Sequence, residues 1–227
     1  MELDTVAKVL YAWYRLVGTT SADGALTDLG EGTNDVAYLY LTRGSRKAQR
    51  WMADMGYGGW RKRGSALSWS GADATDGGRY SALPSDFLRA YGSARLSALR
   101  KADGTPWGQE VTAHEETVKG DFYYLRGEQL WITRLANPPS ALYLEYHYKH
   151  PAWDGDTTID FPMDARPLIV AEAANVAKEE DWFPHGPEIE QKIERALARA
   201  REEARGVARQ TKQPRQFQRP RRIGNRW

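Results

Sequence analysis

The apolar residues of this 227-residue chain change their spacing twice along the sequence. Near both ends they recur every three or four residues, as in an amphipathic helix. In the middle they alternate with polar residues, as in a half-buried strand. This order predicts an α+β protein in which a small antiparallel β domain is inserted between helices. The helices from the two ends pack most simply as one four-helix bundle.

Two helices are predicted before the β-rich part. The first covers residues 4–17, with Asp4 as its N-terminal cap and Gly18 as its stop. The second begins at Thr33 or Asn34 and runs to about residue 55. Gly44 weakens its apolar face, because glycine lowers helix stability.

Two more helices are predicted after the β-rich part. One covers residues 165–178 and is rich in alanine. The other begins at Glu188 and must end before Pro214, because proline cannot continue a helix. Its apolar residues form a single stripe: Ile189, Ile193, Leu197, Ala200, Ala204 and Val207.

The middle of the chain predicts short strands. Residues 66–70 alternate, and residues 121–125 and 129–133 form a hairpin through the tight turn at 126–128. Residues 142–149 are the clearest strand, with one apolar face. Residues 83–88 are interpreted as a proline-started turn into a short helical or extended segment. The predicted organisation is therefore helices at 1–56, a β-rich insertion at 57–160, helices at 161–211 and an extended basic C-terminal arm at 212–227.

The basic arm, residues 212–227, has an unusual composition. It holds six cations, no acid and two prolines, together with Phe217, Ile223 and Trp227. A segment of this kind buries too little apolar surface to fold alone, so we expect it to order on another surface. The many tryptophans and tyrosines of the chain likewise suggest a subunit of an assembly.

The charge of the chain is divided. The net charge is +2, but residues 192–227 carry +9 and residues 1–191 carry −7. Such a division of charge suggests either that copies of this chain associate side by side or that the arm binds an acidic partner. Nucleic acid and an acidic protein surface both fit the second description.

No motif predicts an enzyme, a metal site or a cofactor. The chain has no cysteine, and His147 and His150 are expected on opposite faces of their strand, as ordinary surface or loop histidines. Asp154 and Asp156 are interpreted as parts of a turn rather than as calcium ligands. The glycine-rich and serine-containing segments lack the patterns of phosphate loops and nucleophile elbows. No apolar run is long enough for a membrane helix, and we expect synthesis in a cytoplasm.

The fourth helix also permits an alternative function. Its cations lie about one helical turn apart, as phosphate binding requires: Lys192, Arg195, Arg199, Arg205 and Arg209, with Arg201 elsewhere. A nucleic-acid-binding protein that uses this helix and the arm is therefore an alternative. The competing interpretation is a solvated face on which Glu194, Glu202 and Glu203 pair with the arginines.

The middle and the last third of the chain resemble bacteriophage head-to-tail connector proteins, the adaptors of the head-completion class. Five segments carry the resemblance in order, from about residue 80 to about residue 180: 83–87 (LPSDF), 124–132 (YLRGEQLWI), 137–139 (NPP), 142–148 (LYLEYHY) and 159–162 (IDFP). The arm resembles adaptor tails in kind rather than in sequence.

The resemblance implies a structural virion protein at the head–tail interface. Members form rings, usually of twelve copies, that bind the portal protein, extend the DNA channel without specific DNA binding, and carry the next tail, nozzle or terminator protein. Their C-terminal segments commonly extend onto the portal. For this chain we therefore expect portal binding by eight residues of the arm: Arg215, Phe217, Arg219, Arg221, Arg222, Ile223, Arg226 and Trp227.

Overall fold

A computed structural model describes residues 2–18, 33–70, 79–91, 97–111, 121–132, 139–183 and 185–211. Within these ranges the protein is α+β, with four α-helices and two mainly antiparallel four-stranded sheets. The chain divides into two compact units. A helical unit comprises Met1–Gly58 and Ala152–Trp227, and a β unit comprises Gly59–Pro151.

The four predicted helices are confirmed. They are α1 (Val6–Val17), α2 (Thr33–Asp54), α3 (Arg166–Glu179) and α4 (Pro187–Thr211). The predicted cap of α1 is wrong, because the Thr5 hydroxyl, not Asp4, accepts the Lys8 amide at 3.4 Å. Asp4 instead pairs with the Lys8 ammonium at 2.7 Å. Gly18 ends α1 with a left-handed backbone, which glycine adopts without strain.

Helix α3 contacts each of the other three helices and packs most extensively against α2. Its buried residues face several directions rather than one stripe: Leu168, Ile169, Val170, Ala171, Ala173, Ala174 and Ala177. A helix that is apolar on most sides is stable only inside a protein. The alanine-rich sequence of this segment therefore reflects burial among other helices.

The β unit holds eight described strands. In the first sheet β8 (Leu142–Tyr148) pairs with β1 (Arg61–Ala66) along one edge and with β3 (Phe87–Ala90) and β4 (Leu99–Lys101) along the other. The second sheet has the order β2 (Arg79–Ala82), β7 (Gln129–Ile132), β6 (Phe122–Arg126) and β5 (Gln109–Glu110). One cluster of buried residues forms the core of the unit: Ala98, Leu99, Trp107, Tyr123, Leu130, Ile132, Leu142, Leu144 and Tyr146.

The predicted strand at residues 66–70 is misplaced. The observed strand, β1, begins five residues earlier, at Arg61. Among residues 67–70, Ser70 alone forms a β-bridge, and its partner is Tyr80. Strand β1 reads R-K-R-G-S-A and is exposed at nearly every position, so no alternation marks it. Its pairing with β8, which supplies the apolar residues, makes it a strand.

Strand β8 is confirmed, but it does not have a single buried face. Leu142, Leu144 and Tyr146 are buried as predicted, and Glu145 and His147 on the opposite face are buried as well. The strand lies between neighbours on both edges, and cationic side chains cover the face that carries Glu145.

Candidate functional site

The predicted portal-binding residues lie in the basic arm, outside the described residues. The structure does describe the helix that leads into the arm. The predicted apolar stripe of α4 is confirmed, with Ile193, Ala200 and Ala204 buried. Ala208, three residues before the end of α4, is also fully buried. The arm therefore begins from a helix that is packed against its unit almost to its last residue.

Two of the five cations in the predicted stripe of α4 pair with carboxylates. Arg199 pairs with Glu203 at 2.9 Å, and Arg205 pairs with Glu202 at 2.7 Å. These pairs support the solvated-face interpretation of the helix rather than a free stripe for phosphates. The third predicted partner, Glu194, instead lies 3.9 Å from Lys178 of α3.

Arg201 has a different role from the other arginines of α4. Its guanidinium donates to Glu172 of α3, with an Nη2–Oε1 distance of 2.8 Å. The Glu172 side chain is completely buried, and the Lys47 ammonium of α2 lies 3.8 Å from its other oxygen. This buried carboxylate joins three helices, and sequence spacing within α4 alone could not have revealed it.

Negative charge is concentrated in one stretch of the helical unit. Residues 152–191 contain ten acidic and two basic residues. Within it, Asp154 forms the predicted turn, since its carboxylate accepts from the Thr157 hydroxyl at 2.7 Å and from the Asp156 amide at 3.0 Å. Across the described ranges no cluster of three His, Asp or Glu side chains has the geometry of a metal site.

The structure corrects the interpretation of two histidines as ordinary surface residues. His147 and His150 are buried, at 3% and 0% exposure, and are not surface residues. The ring of His147 packs 5.3 Å from that of Tyr91, and the Arg61 guanidinium lies 4.3 Å from the Tyr91 ring centre. These side chains belong to the packed face of the first sheet.

Glu145 is the centre of a buried polar cluster that the sequence did not predict. Arg61 donates to both carboxylate oxygens at 2.7 Å, and Arg100 donates to Oε2 at 2.9 Å. Burial alone would raise the pKa of the Glu145 carboxyl, but these hydrogen bonds outweigh it, so the pKa lies below its ordinary value. A carboxylate held ionised by two arginines suits a structural role better than proton transfer.

We expect Glu145→Gln to destabilise the β unit by about 1–2 kcal/mol at neutral pH, since hydrogen bonds to a charged group are lost. A lowered folded-state pKa gives stability that is present above the ordinary carboxyl pKa and disappears as pH falls through the folded value. The variant should therefore lose less stability than the parent between neutral pH and about pH 3. Urea unfolding at both pH values checks this, with Glu128→Gln in an exposed turn as control. Equal acid sensitivity of parent and Glu145→Gln would contradict the assignment.

Two of the segments that carry the family resemblance, 83–87 and 142–148, contact each other inside the β unit, whereas residues 137 and 138 lie outside the described residues. Asp86 of the 83–87 segment accepts from the Tyr146 hydroxyl at 2.7 Å and pairs with Lys62 at 2.7 Å. Burial would raise the pKa of Asp86, but these hydrogen bonds hold it below its ordinary value. The Lys149 amide donates to the Asp86 carbonyl at 2.7 Å. These residues attach β3 and its preceding turn to β8.

The last of these segments, residues 159–162, belongs to the helical unit. Arg166 of α3 donates to the carbonyls of Ile159 at 3.3 Å and Phe161 at 3.1 Å, and to that of Leu3 at 2.7 Å. One guanidinium therefore fixes both the start of the chain's described part and the entry to α3.

About half of the tryptophans and tyrosines that suggested an interface are buried in the cores. Five tryptophans are buried: Trp13, Trp60, Trp107, Trp131 and Trp153. Among the described residues, the large apolar side chains that are exposed are Leu39 and Met163. The high tryptophan content therefore follows in large part from packing within the two units.

A groove opens in the helical unit where α1, α3 and α4 meet. Its volume is about 320 Å³ and its lining is mainly apolar. The floor comes from the three helices: Ala12, Leu16, Val170, Ala171, Ala196 and Ala200. Leu3 closes one side, and the Arg199–Glu203 pair lies at another. Grooves of this size accept a single large side chain or a small ligand.

No described helix is long and apolar enough to cross a membrane. No protein-family model matches the chain, and no curated protein matches it.

Proposed function

We propose that this protein is a structural adaptor of a bacteriophage virion. Copies of it form a ring on the capsid portal, extend the DNA channel and present a platform for the next tail component. The observation that carries the proposal is the basic arm: six cations, no acid and three large apolar residues directly after a firmly packed helix. An arm that becomes ordered on docking can cover a wide surface and delays attachment until the portal exists.

The architecture supports the proposal. We infer that α1 to α4 form one four-helix bundle, since α3 contacts the other three helices and α4 contacts α1 and α2. Two of the segments that resemble adaptor sequences, 83–87 and 142–148, pack against each other in the β unit. The twelvefold ring, the location at the head–tail interface and the tail-side partner follow from the family resemblance.

Within the arm, Phe217, Ile223 and Trp227 fill apolar pockets of the portal, and the arginines pair with portal carboxylates. Pro214 and Pro220 favour an extended course, because proline restricts the backbone. The net charge of −7 over residues 1–191 suits a channel that must not retain DNA.

The experiment is attachment of purified protein to DNA-filled heads that carry a portal but no adaptor. We expect deletion of residues 212–227 to leave the helix content of the folded protein nearly unchanged and to lower attachment by at least about 100-fold, the loss of about 3 kcal/mol of docking energy. A chain with the same arm residues in scrambled order is the matched control, and it should attach only weakly. Normal attachment by the truncated chain would refute the proposal.

Nucleic-acid binding through α4 and the arm is the second candidate function. The pairing of Arg199 and Arg205 with glutamates weighs against it, since paired cations release fewer counterions on phosphate binding. We expect the free protein to bind duplex DNA no more tightly than about 10 μM at physiological salt. A submicromolar Kd that weakens steeply as salt rises, measured by fluorescence anisotropy, would instead favour the nucleic-acid function.

A further inference from the structure

The groove between α1, α3 and α4 is an apolar surface that no described residue fills. Its floor consists chiefly of alanines, and the groove stays open because these side chains are too short to fill it. Two of them, Ala200 and Ala196, lie on α4 itself, about three and four turns before the point at which the basic arm begins.

We propose that this groove binds the basic arm of the same chain in the free subunit, with the Trp227 indole as the side chain that enters it. The inference does not rest on portal binding, because it concerns the isolated protein. It assigns to the arm a resting site that a later partner would have to displace.

The length of the arm permits this course. From Thr211 back to Ala200 along α4 is eleven residues, or about 16 Å. The sixteen residues of the arm span up to about 55 Å when extended, so Trp227 reaches any part of the groove. Helix α4 is described to Thr211, and Pro214 cannot continue it, so the direction of the arm is not set by the helix axis.

The lining of the groove favours an aromatic occupant. Charges of both signs stand beside it: Glu2 and Asp164 are exposed acids near Leu3 and Pro167, and Arg195 precedes Ala196. Arg199 and Glu203 in the lining pair with each other. Charge therefore does not select the occupant, whereas the Trp227 indole is the largest apolar side chain of the arm and matches the alanine-rich floor.

The test uses the full chain and takes advantage of its lack of cysteine. Spin labels are attached to Gln191→Cys on the exposed part of α4 and to Asn225→Cys in the arm. Double electron–electron resonance spectroscopy then reports the distribution of distances between the two labels. We expect a narrow distribution centred below about 30 Å. A broad distribution that extends to the full reach of the arm would overturn the proposal.

Two substitutions show whether the groove is the site. Ala196→Arg fills the groove with a cation and should broaden the distribution. Ala198→Arg, the same change on the exposed side of α4, should leave it narrow. Trp227→Ala should broaden it as well, and this change lies outside the packed helices, so it remains informative if Ala196→Arg does not fold. A narrow distribution that survives both Ala196→Arg and Trp227→Ala would overturn the proposal.

Dilution distinguishes the arm of the same chain from that of a second copy. Labelled protein mixed with a large excess of unlabelled protein should keep the narrow distribution if the arm folds back on its own helix. If the short distance is lost on mixing, the arm binds a second copy and the proposal is wrong in that respect.

Discussion

Replacing Gly44 with alanine is expected to destabilise the helical unit by about 2–3 kcal/mol, although alanine is the better helix former. Gly44 lies in the interior of α2, where the added methyl group would stand 2.5 Å from the backbone nitrogen of Ala173 and 2.7 Å from its Cα. These are atoms of the α3 backbone, which cannot turn aside as a long side chain can. The two helices would have to separate where they pack most closely.

Gly206→Ala is the matched control for this substitution. Gly206 also lies inside a helix, α4, but nothing stands within 4 Å of the added methyl group. We expect it to stabilise the protein by about 0.5–1 kcal/mol, the ordinary gain on replacing a helical glycine. Thermal and urea unfolding followed by circular dichroism measures both. A Gly44→Ala protein as stable as Gly206→Ala would show that α2 and α3 do not approach as described.

Arg201→Met is expected to destabilise the helical unit by about 3 kcal/mol or more. The substitution keeps an unbranched apolar stem but removes both hydrogen bonds to Glu172, whose side chain is completely buried. The carboxylate would retain only the Lys47 ammonium at 3.8 Å. The cost arises because a buried charge loses its main partner, not because a surface ion pair is lost.

Two comparisons separate these explanations. Arg205→Met removes the exposed pair with Glu202 on the same helix and should cost less than about 1 kcal/mol. The double variant Glu172→Leu with Arg201→Met should be more stable than Arg201→Met alone, since an apolar pair of similar size often replaces a buried ion pair without loss. Equal destabilisation by Arg201→Met and Arg205→Met would contradict the special role of Glu172.

The helices could be predicted from sequence because their signals are local. Apolar spacing placed all four helices, and Gly18 and Pro214 marked where α1 and α4 had to end. The cap of α1 was wrong by one residue, since Asp4 and Thr5 are both good caps and only the structure shows which side chain reaches the Lys8 amide.

Strands in the β unit could be predicted only where their own residues alternate. The hairpin of β6 and β7 and the strand β8 were found, whereas β1 was misplaced because its pattern is exposed on both faces. Strands β2, β4 and β5 have two to four residues each, too few for a period to be recognised. Their place depends on pairing with distant strands, which a single sequence does not encode locally.

Ion pairs could likewise be predicted only where the two partners are close in sequence. Glutamates near in sequence predicted the partners of Arg199 and Arg205, because helical spacing brings them together. The partner of Arg201 is 29 residues away, and the buried cluster around Glu145 joins three strands, so neither could be inferred from spacing. The portal-binding residues of the arm lie outside the described part of the chain and remain a prediction.

Portal docking by the arm is tested by a cryo-electron microscopy reconstruction of this protein bound to its portal ring. We expect continuous density for residues 212–227 on the portal, with Phe217, Ile223 and Trp227 in apolar pockets and arginines facing portal carboxylates. A reconstruction in which the ring is attached through other surfaces, while the arm makes no contact with the portal, would contradict this expectation.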